Sequence, residues 1–402
     1  MIKRIPLSAL KVGMYITDMN NDWIPHSNDK RRGVVQREDI IEKIARLGVR
    51  HVYIDTARGL DSSEGVPLQD VDRSNETLLQ QAGGLKPQLT PYTGRDEEII
   101  IAKRIHNETQ SLVGSLMQNV KLGQAIDLSP VHELAENLQG SVFRNPNAMA
   151  CLGRIREKDN YLLEHSVNLS VLMSIFGKAM KHSPEVLLQT VVGALLHDIG
   201  KILTPDDILH KPGRLTPEEF EVMKRHALDS YKILAGTEGI GELTLLTAGQ
   251  HHERMDGSGY PEGLKGDKIS VYGRMVAIAD VYDAITSNRV YHSAMTPTQG
   301  LKKLLEWSGD HLDPELVRQF IRCIGIYPVG SLVLMESGRL GVVIEGNEDD
   351  QRLPVVRIMY HTRFRMPIKV ETLDLAKPSA QDRIVRAVDP ATYKIDVRRF
   401  LA

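Results

Sequence analysis

The chain has 402 residues, 42% of them hydrophobic and 25% charged, an ordinary balance for a folded protein of two or three domains. A formal net charge of −2, with histidine neutral, provides no global attraction to a nucleic-acid duplex or an anionic membrane. Two cysteines, Cys151 and Cys323, form no CxxC pair and are too few for a disulfide framework, which suits a reducing, cytoplasmic setting.

The N-terminal MIKRIPLSALKVGMYITDMN lacks the apolar run and small-residue cleavage site of a signal peptide, and the sequence suggests no membrane span. Residues 1–60 combine β-type runs (GMYITDM, VRHVYID) with a helical pattern in EDIIEKIARLG, which predicts a small α+β domain. Residues 61–94 are rich in Gly, Ser, Asp, Pro and Gln and read as a linker. Helical periodicity dominates residues 95–328. There Ser183 and Pro184 mark one helix start, with Gly200 placed to end that helix. Thr216, Pro217 and Glu219 mark another, as a capping box. Residues 329–402 alternate β-type runs with glycine turns and form a β-rich C-terminal extension. The fold class expected is therefore multidomain: an all-α body, a small α+β N-terminal domain and a small β-rich C-terminal module.

Within the helical region, histidines and acids fall in five groups: EHSVN (His165), LLHDIGK (His197, Asp198), KRHALDS (His226), HHERMDGSGYP (His251, His252) and AIADVYDAITSNR (Asp280, Asp283). His226 lies nearly three turns into its helix, at the edge of the face made by Phe220, Met223, Ala227 and Leu234. Taken singly, each group has an ordinary explanation. Asp280 and Asp283 could face solvent or pair with Arg274, HDIGK could end a helix, and DGSGYP has the composition of a turn. Taken together, five histidines and two aspartates are too many for one ion that keeps an open position, and they suit two. A two-metal site points to attack of activated water on a phosphate ester.

The ordered set H…HD…H…HH…D, with HDIGK and HHERMDGSGYPEGLKG, resembles the HD-GYP family, a branch of the HD phosphohydrolases, over roughly residues 95–328. The first 60 residues resemble a small domain of unknown function that often precedes HD-GYP domains. The GIYPVGSLVLMESGRLGVV segment is similar to the C-terminal extension of many members. The resemblance implies an all-helical phosphodiesterase for the bacterial second messenger cyclic dimeric GMP (c-di-GMP), releasing pGpG and often GMP. It implies that His165, His197, Asp198 and Asp280 hold one divalent transition metal, and that His226, His251 and His252 hold a second with Asp198 bridging. Iron or manganese comes first, with zinc, cobalt and nickel compatible. A metal-bridging hydroxide would attack phosphorus while Lys201 and Arg289 neutralise the phosphate.

Two positions depart from the pattern. Members with a third metal carry a glutamate where this chain has Tyr161, which favours two ions. His292 stands where many members have Lys or Arg, so phosphate contact there is expected to be weaker or to fade near neutrality. The loop Gly259–Tyr260–Pro261 is expected to turn the chain, with Gly257 and Gly259 available for positive φ, and the family suggests that it docks partners such as diguanylate cyclase (GGDEF) domains. The N-terminal unit is open between a sensor, a docking surface and a dimerisation element, and a homodimer is compatible with the sequence. Two alternatives stand beside hydrolysis of c-di-GMP: another cyclic dinucleotide as substrate, or a catalytically idle c-di-GMP receptor or cyclase-interaction module. All seven ligand positions are filled, which favours the enzyme.

Overall fold

The computed structural model describes residues 1–24, 32–83, 93–155, 161–211, 213, 215–287, 294–347 and 349–401. The chain opens with β1 (Ile2–Pro6), β2 (Tyr15–Asp18), β3 (Gly33–Val34), α1 (Glu38–Arg46), β4 (His51–Asp55) and β5 (Val66–Pro67). These strands form an antiparallel sheet in the order β3-β2-β4-β1-β5, with Ile5 opposite Val52. Alternation along the strands sends Ile5, Ile16, Val52 and Ile54 to one face, where Ile44 of α1 closes a small core. The expected α+β unit is present.

The expected linker is not structureless. Leu68–Ala82 forms a helix, α2, that buries Val71, Asn75, Leu79 and Ala82. Those positions follow helical spacing, but a polar Asn sits in the stripe and Asp, Ser and Gln surround it, so composition hides the period. Leu79 and Ala82 pack into the helical core together with Trp23 and Ile24 from the segment after β2.

The helical body comprises α3 (Arg95–Lys121), α4 (Ser129–Arg144), α5 (Pro146–Leu152), α6 (Tyr161–Ala179), α7 (Pro184–Leu196), α8 (Asp206–Leu209), α9 (Pro217–Ala235), α10 (Glu242–Gly249), α11 (Val271–Thr286), α12 (Pro297–Glu306) and α13 (Pro314–Ile324). Helix α6 is central because it is apolar on more than one side. Val167, Val171 and Ile175 face the core built with α3, α4 and α7, while Leu169, Met173 and Phe176 face the core built with α11 to α13. By length and composition alone Pro184–Leu203 would suffice to cross a membrane, but 72% of its apolar window is buried inside this core.

Both predicted caps form. The Ser183 hydroxyl accepts from the amide of Val186, and Thr216 and Glu219 make the reciprocal capping box of α9. Gly200 does not end α7, which stops at Leu196 and is followed by a 3-10 turn, Ile199–Leu203. A Cβ on Gly200 would lie 2.4 Å from both the carbonyl oxygen of His226 and the amide nitrogen of Ser230, so glycine is required because α9 crosses this turn in direct contact.

At the C-terminal end, β6 (Leu332–Met335), β7 (Arg339–Glu345), β8 (Val355–His361), β9 (Met366–Asp374) and β10 (Ile384–Ala387) form a second antiparallel sheet, ordered β10-β6-β7-β8-β9. Leu332, Leu340, Val342 and Ile344 pack on Cys151 of α5. Cys151 and Cys323 are both free thiols.

Candidate metal centre

Five elements deliver the predicted ligands to one buried point. His165 lies one turn into α6, His197 caps the C-terminus of α7 with Asp198 next to it, His226 lies mid-way along α9, His251 and His252 follow α10, and Asp280 lies on α11. All seven side chains are at most 3% exposed in residue terms. His226, read from the sequence as lying at the edge of the apolar face of its helix, is fully buried, with Asp198, His251, His252 and Tyr260 around its ring.

Asp198 sits at the centre. Its Oδ2 is 3.1 Å from His197 Nε2 and 4.0 Å from His165 Nε2, while its Oδ1 is 3.4 Å from His226 Nε2 and 3.9 Å from His251 Nε2. The two carboxylate oxygens thus face two different groups. In one, ligand atoms of His165, His197 and Asp280 all lie within 4.8 Å of one another; in the other, those of His226, His251 and His252 do. His165 Nε2 is 3.1 Å from Asp280 Oδ1. Lys201 Nζ is 2.5 Å from Asp198 Oδ2.

The imidazoles are oriented from behind. Nδ1 of His197, His226 and His251 each meets the carbonyl oxygen three residues earlier, on Ala194, Met223 and Ala248, at 2.6 to 2.7 Å. A carbonyl only accepts, so Nδ1 carries the proton and each Nε2 presents a lone pair inward. His165 Nδ1 instead meets Asp283 Oδ2 at 2.7 Å, and Asn168 donates to the other oxygen of Asp283.

Electrostatics favour neutral ligands on one side and charged carboxylates between. Burial, with Lys201 nearby, pushes His226 down to about 4, and burial drives His251 and His252 well below the usual range. Burial opposes protonation of His165 too, but hydrogen bonds to Asp280 and Asp283 outweigh it and raise its pKa. For Asp198, burial is outweighed by His197 and Lys201, and its carboxyl stays well below the usual range. Asp280 is likewise lowered, burial being outweighed by His165.

This donor set fits metal ions. Asp198 Oδ1, His251 Nε2, His252 Nδ1 and Asp280 Oδ2 are buried without a hydrogen-bond partner among the described residues, and His226 Nε2 faces His252 Nε2 at 3.0 Å. Buried lone pairs converging without donors are costly unless a cation satisfies them.

The loop after the histidine pair folds back onto them. The Tyr260 ring lies 4.5 Å from that of His252, its hydroxyl is buried without a partner among the described residues, and burial raises its pKa well above the usual range. The Tyr260–Pro261 peptide is cis. Gly257 has the expected positive φ of 83°, but Gly259 does not: a Cβ there would lie 2.5 Å from His252 O, Glu253 Cα and Arg254 N, so close approach is the reason for glycine. Arg289 and His292 lie outside the described residues, as does the side chain of Tyr161.

Asp283 stood in a candidate group but had no assigned role, and Glu253 and Arg254 were not anticipated. Of the two readings open for Asp283, the plain one, solvent or a pair with Arg274, does not hold: it is buried against His165, while Arg274 pairs with Asp313 at 2.8 Å. Its spacing of three from Asp280 on α11 was the available signal, since both acids then share a helix face. Glu253 accepts from the amides of Glu262 and Leu264, 2.8 Å each, and closes the loop. Arg254 is buried and donates to the carbonyls of His251 and Glu253. Nothing local in the sequence distinguishes these last two from surface charges.

Residues 152–316 match a family model described as HD domain, and residues 2–131 match one described as a domain of unknown function, DUF3391. The second match runs past residue 60, through α2 and α3. The chain is 35% identical over 386 residues to a cyclic di-GMP phosphodiesterase of Pseudomonas aeruginosa, covering 96% of this chain and 92% of that one. It is 46% identical over 155 residues to a cyclic di-GMP phosphodiesterase response regulator of Xanthomonas campestris pv. campestris, covering 38% of this chain and 41% of the relative. It is 42% identical over 228 residues to a 3'3'-cGAMP-specific phosphodiesterase of Vibrio cholerae, covering 56% and 41%.

Proposed function

The chain belongs to the HD-domain family, in its HD-GYP branch, and from that premise we propose that it is a metal-dependent phosphodiesterase that hydrolyses c-di-GMP to pGpG. The observation that carries the metal-site reading is Asp198, whose Oδ2 faces His197 and His165 while its Oδ1 faces His226 and His251, in a buried site where several of the candidate ligand atoms have no hydrogen-bond partner among the described residues. His165, His197 and Asp280 would hold one divalent transition metal and His226, His251 and His252 a second, with Asp198 shared. Bound there, two such ions supply Lewis acidity and activate water at neutral pH.

The remaining roles belong to the chain itself. Carbonyls and Asp283 hold four of the five imidazoles, those of His165, His197, His226 and His251, in the ligating tautomer. Lys201 places a positive charge on the shared carboxylate, where a phosphate oxygen would approach. Arg289 is assigned as a second phosphate contact, with a weaker, pH-dependent one at His292. Tyr260 walls the second histidine group. A cytoplasmic site of action, and docking of GGDEF domains on the loop, are part of the same proposal.

The test is metal analysis of protein purified without chelator, paired with turnover of c-di-GMP followed to pGpG and GMP. About two equivalents of metal, with activity abolished by Asp198→Ala, are expected. Tight binding of c-di-GMP with no hydrolysis under any metal would make the chain a receptor. The resemblance to a 3'3'-cGAMP-specific enzyme makes that dinucleotide the comparison substrate, and a higher kcat/KM for it would reassign the substrate.

A further inference from the structure

The loop after His252 is covered by the N-terminal unit of the same chain. The Trp23 ring stacks on His311 with centroids 3.9 Å apart, and the Trp23 carbonyl accepts from Nη2 of Arg254 at 3.2 Å. The same guanidinium donates through Nη1 to the carbonyls of His251, at 3.2 Å, and Glu253, at 2.8 Å. Arg50 donates through two nitrogens to Asp256 Oδ2, at 3.0 and 3.2 Å, while Asp256 Oδ1 accepts from the amide and hydroxyl of Ser258. Gly48, in the turn between α1 and β4, has a φ of 81° and lies so close to the loop that a Cβ would come within 2.8 Å of Ser258 Cβ. The contact continues onto α12 and the residue that follows it, where Tyr53 donates to Glu306 at 2.6 Å and Asn20 Oδ1 accepts from Lys303 and Trp307.

We propose that the N-terminal unit is the built-in partner of this loop, and that Arg254 is the positioning residue through which it holds the His251–His252 pair. A planar guanidinium binds carbonyls from both units in one fixed fork, so displacing Trp23 leaves a buried charged donor without its acceptor. The backbone of His251 is then freed on one side. His165, His197 and Asp280 are anchored on α6, at the end of α7 and on α11, which Trp23 meets through a shared apolar cluster rather than through Arg254. Asp256–Ser258 is already occupied in cis, so a protein docking on that face of the loop has to displace the N-terminal unit. A signal sensed by the N-terminal unit would reach the second metal group by the same route.

The docking stands on contacts alone; its effect on metal rests on the two-ion reading above. Hydrogen exchange on the metal-free full-length chain tests the docking. In Trp23→Ala, amides over residues 253–266, including those of Gly257, Glu262 and Leu264, should exchange at least tenfold faster, with α6 and α7, which share an apolar cluster with Trp23, changed much less. Arg254→Lys keeps the charge without the fork and should accelerate the same amides less. If Trp23→Ala loosens the whole helical body, Arg254→Lys decides. Unchanged loop exchange in a folded variant overturns the proposal. In metal titrations the same variants should need at least tenfold more free metal for the second equivalent only. Loss of both equivalents together would overturn the selective coupling. A wild-type chain that binds fewer than two ions would overturn the two-ion reading, while the exchange experiment still decides the docking.

Discussion

The two halves of the proposed metal centre use the same chemistry on different supports. His165 and Asp280 project from α6 and α11 and His197 from the C-terminal cap of α7, with α6 packed against both other helices within the helical core. His226 shares that rigidity through α9, but His251 and His252 lie beyond the end of α10, at the start of a loop closed by Glu253 and Arg254 and covered by the N-terminal unit. The lesson is that a ligand on a helix inherits its geometry from the core, whereas a ligand on a loop needs dedicated contacts.

That contrast can be broken at three points. The largest effect should come from Asp283→Ala, which removes the buried partner of His165 and Asn168. A loss of about 3–5 kcal/mol in chemical denaturation is expected, with the affinity for the first ion down about 10–100-fold. Asp283→Asn should recover part of both. If the second ion is lost equally, the halves are not separately supported.

Gly200→Ala comes next. The added methyl group meets the backbone of α9 at His226 and Ser230, and overpacking of this kind costs about 1–3 kcal/mol. Because His226 moves with α9, the second ion should be released before the first in a chelator titration. Release of the first ion before the second would contradict this.

Asp256→Asn should have the smallest effect, about 1 kcal/mol or less, because Arg50 is more than half exposed. Burial raises the Asp256 pKa, but the His311 imidazole 3.5 Å away and hydrogen bonds from Ser258 outweigh it and leave it below the usual range. A depressed carboxylate stabilises the folded state fully above its unfolded pKa of about 3.9, and the contribution disappears as pH falls through the folded value. The difference between wild type and Asp256→Asn should therefore be present at pH 7 and shrink below about pH 4. A difference that grows on acidification would mean that the carboxylate is not the group being held.

Much of the site could be read from the chain alone. The seven candidate ligands could be picked out because their residue types stand in a fixed order, two of their groups on or next to helices whose starts are marked by Ser183 and Thr216. The small N-terminal sheet and the C-terminal β-rich module were visible from alternation. Helix α2 was not, because Asn75 interrupts its buried stripe and its partners Trp23 and Ile24 are remote in sequence. Gly200 and Gly259 were recognised as special for the wrong reason, since a glycine needed for close approach looks the same in sequence as one needed for positive φ.

By itself the sequence determined which side chains could ligate, on which elements, and the family to which the chain belongs, because those are properties of residue type and local spacing. Only the tertiary structure decided that Asp198 faces both histidine groups, that Asp283 rather than solvent stands behind His165, and that Trp23 and Arg50 cover the loop carrying His251 and His252. Each of these depends on contacts between residues far apart in the chain. Such contacts are fixed by how helices and sheets pack, and no local pattern of residues records them.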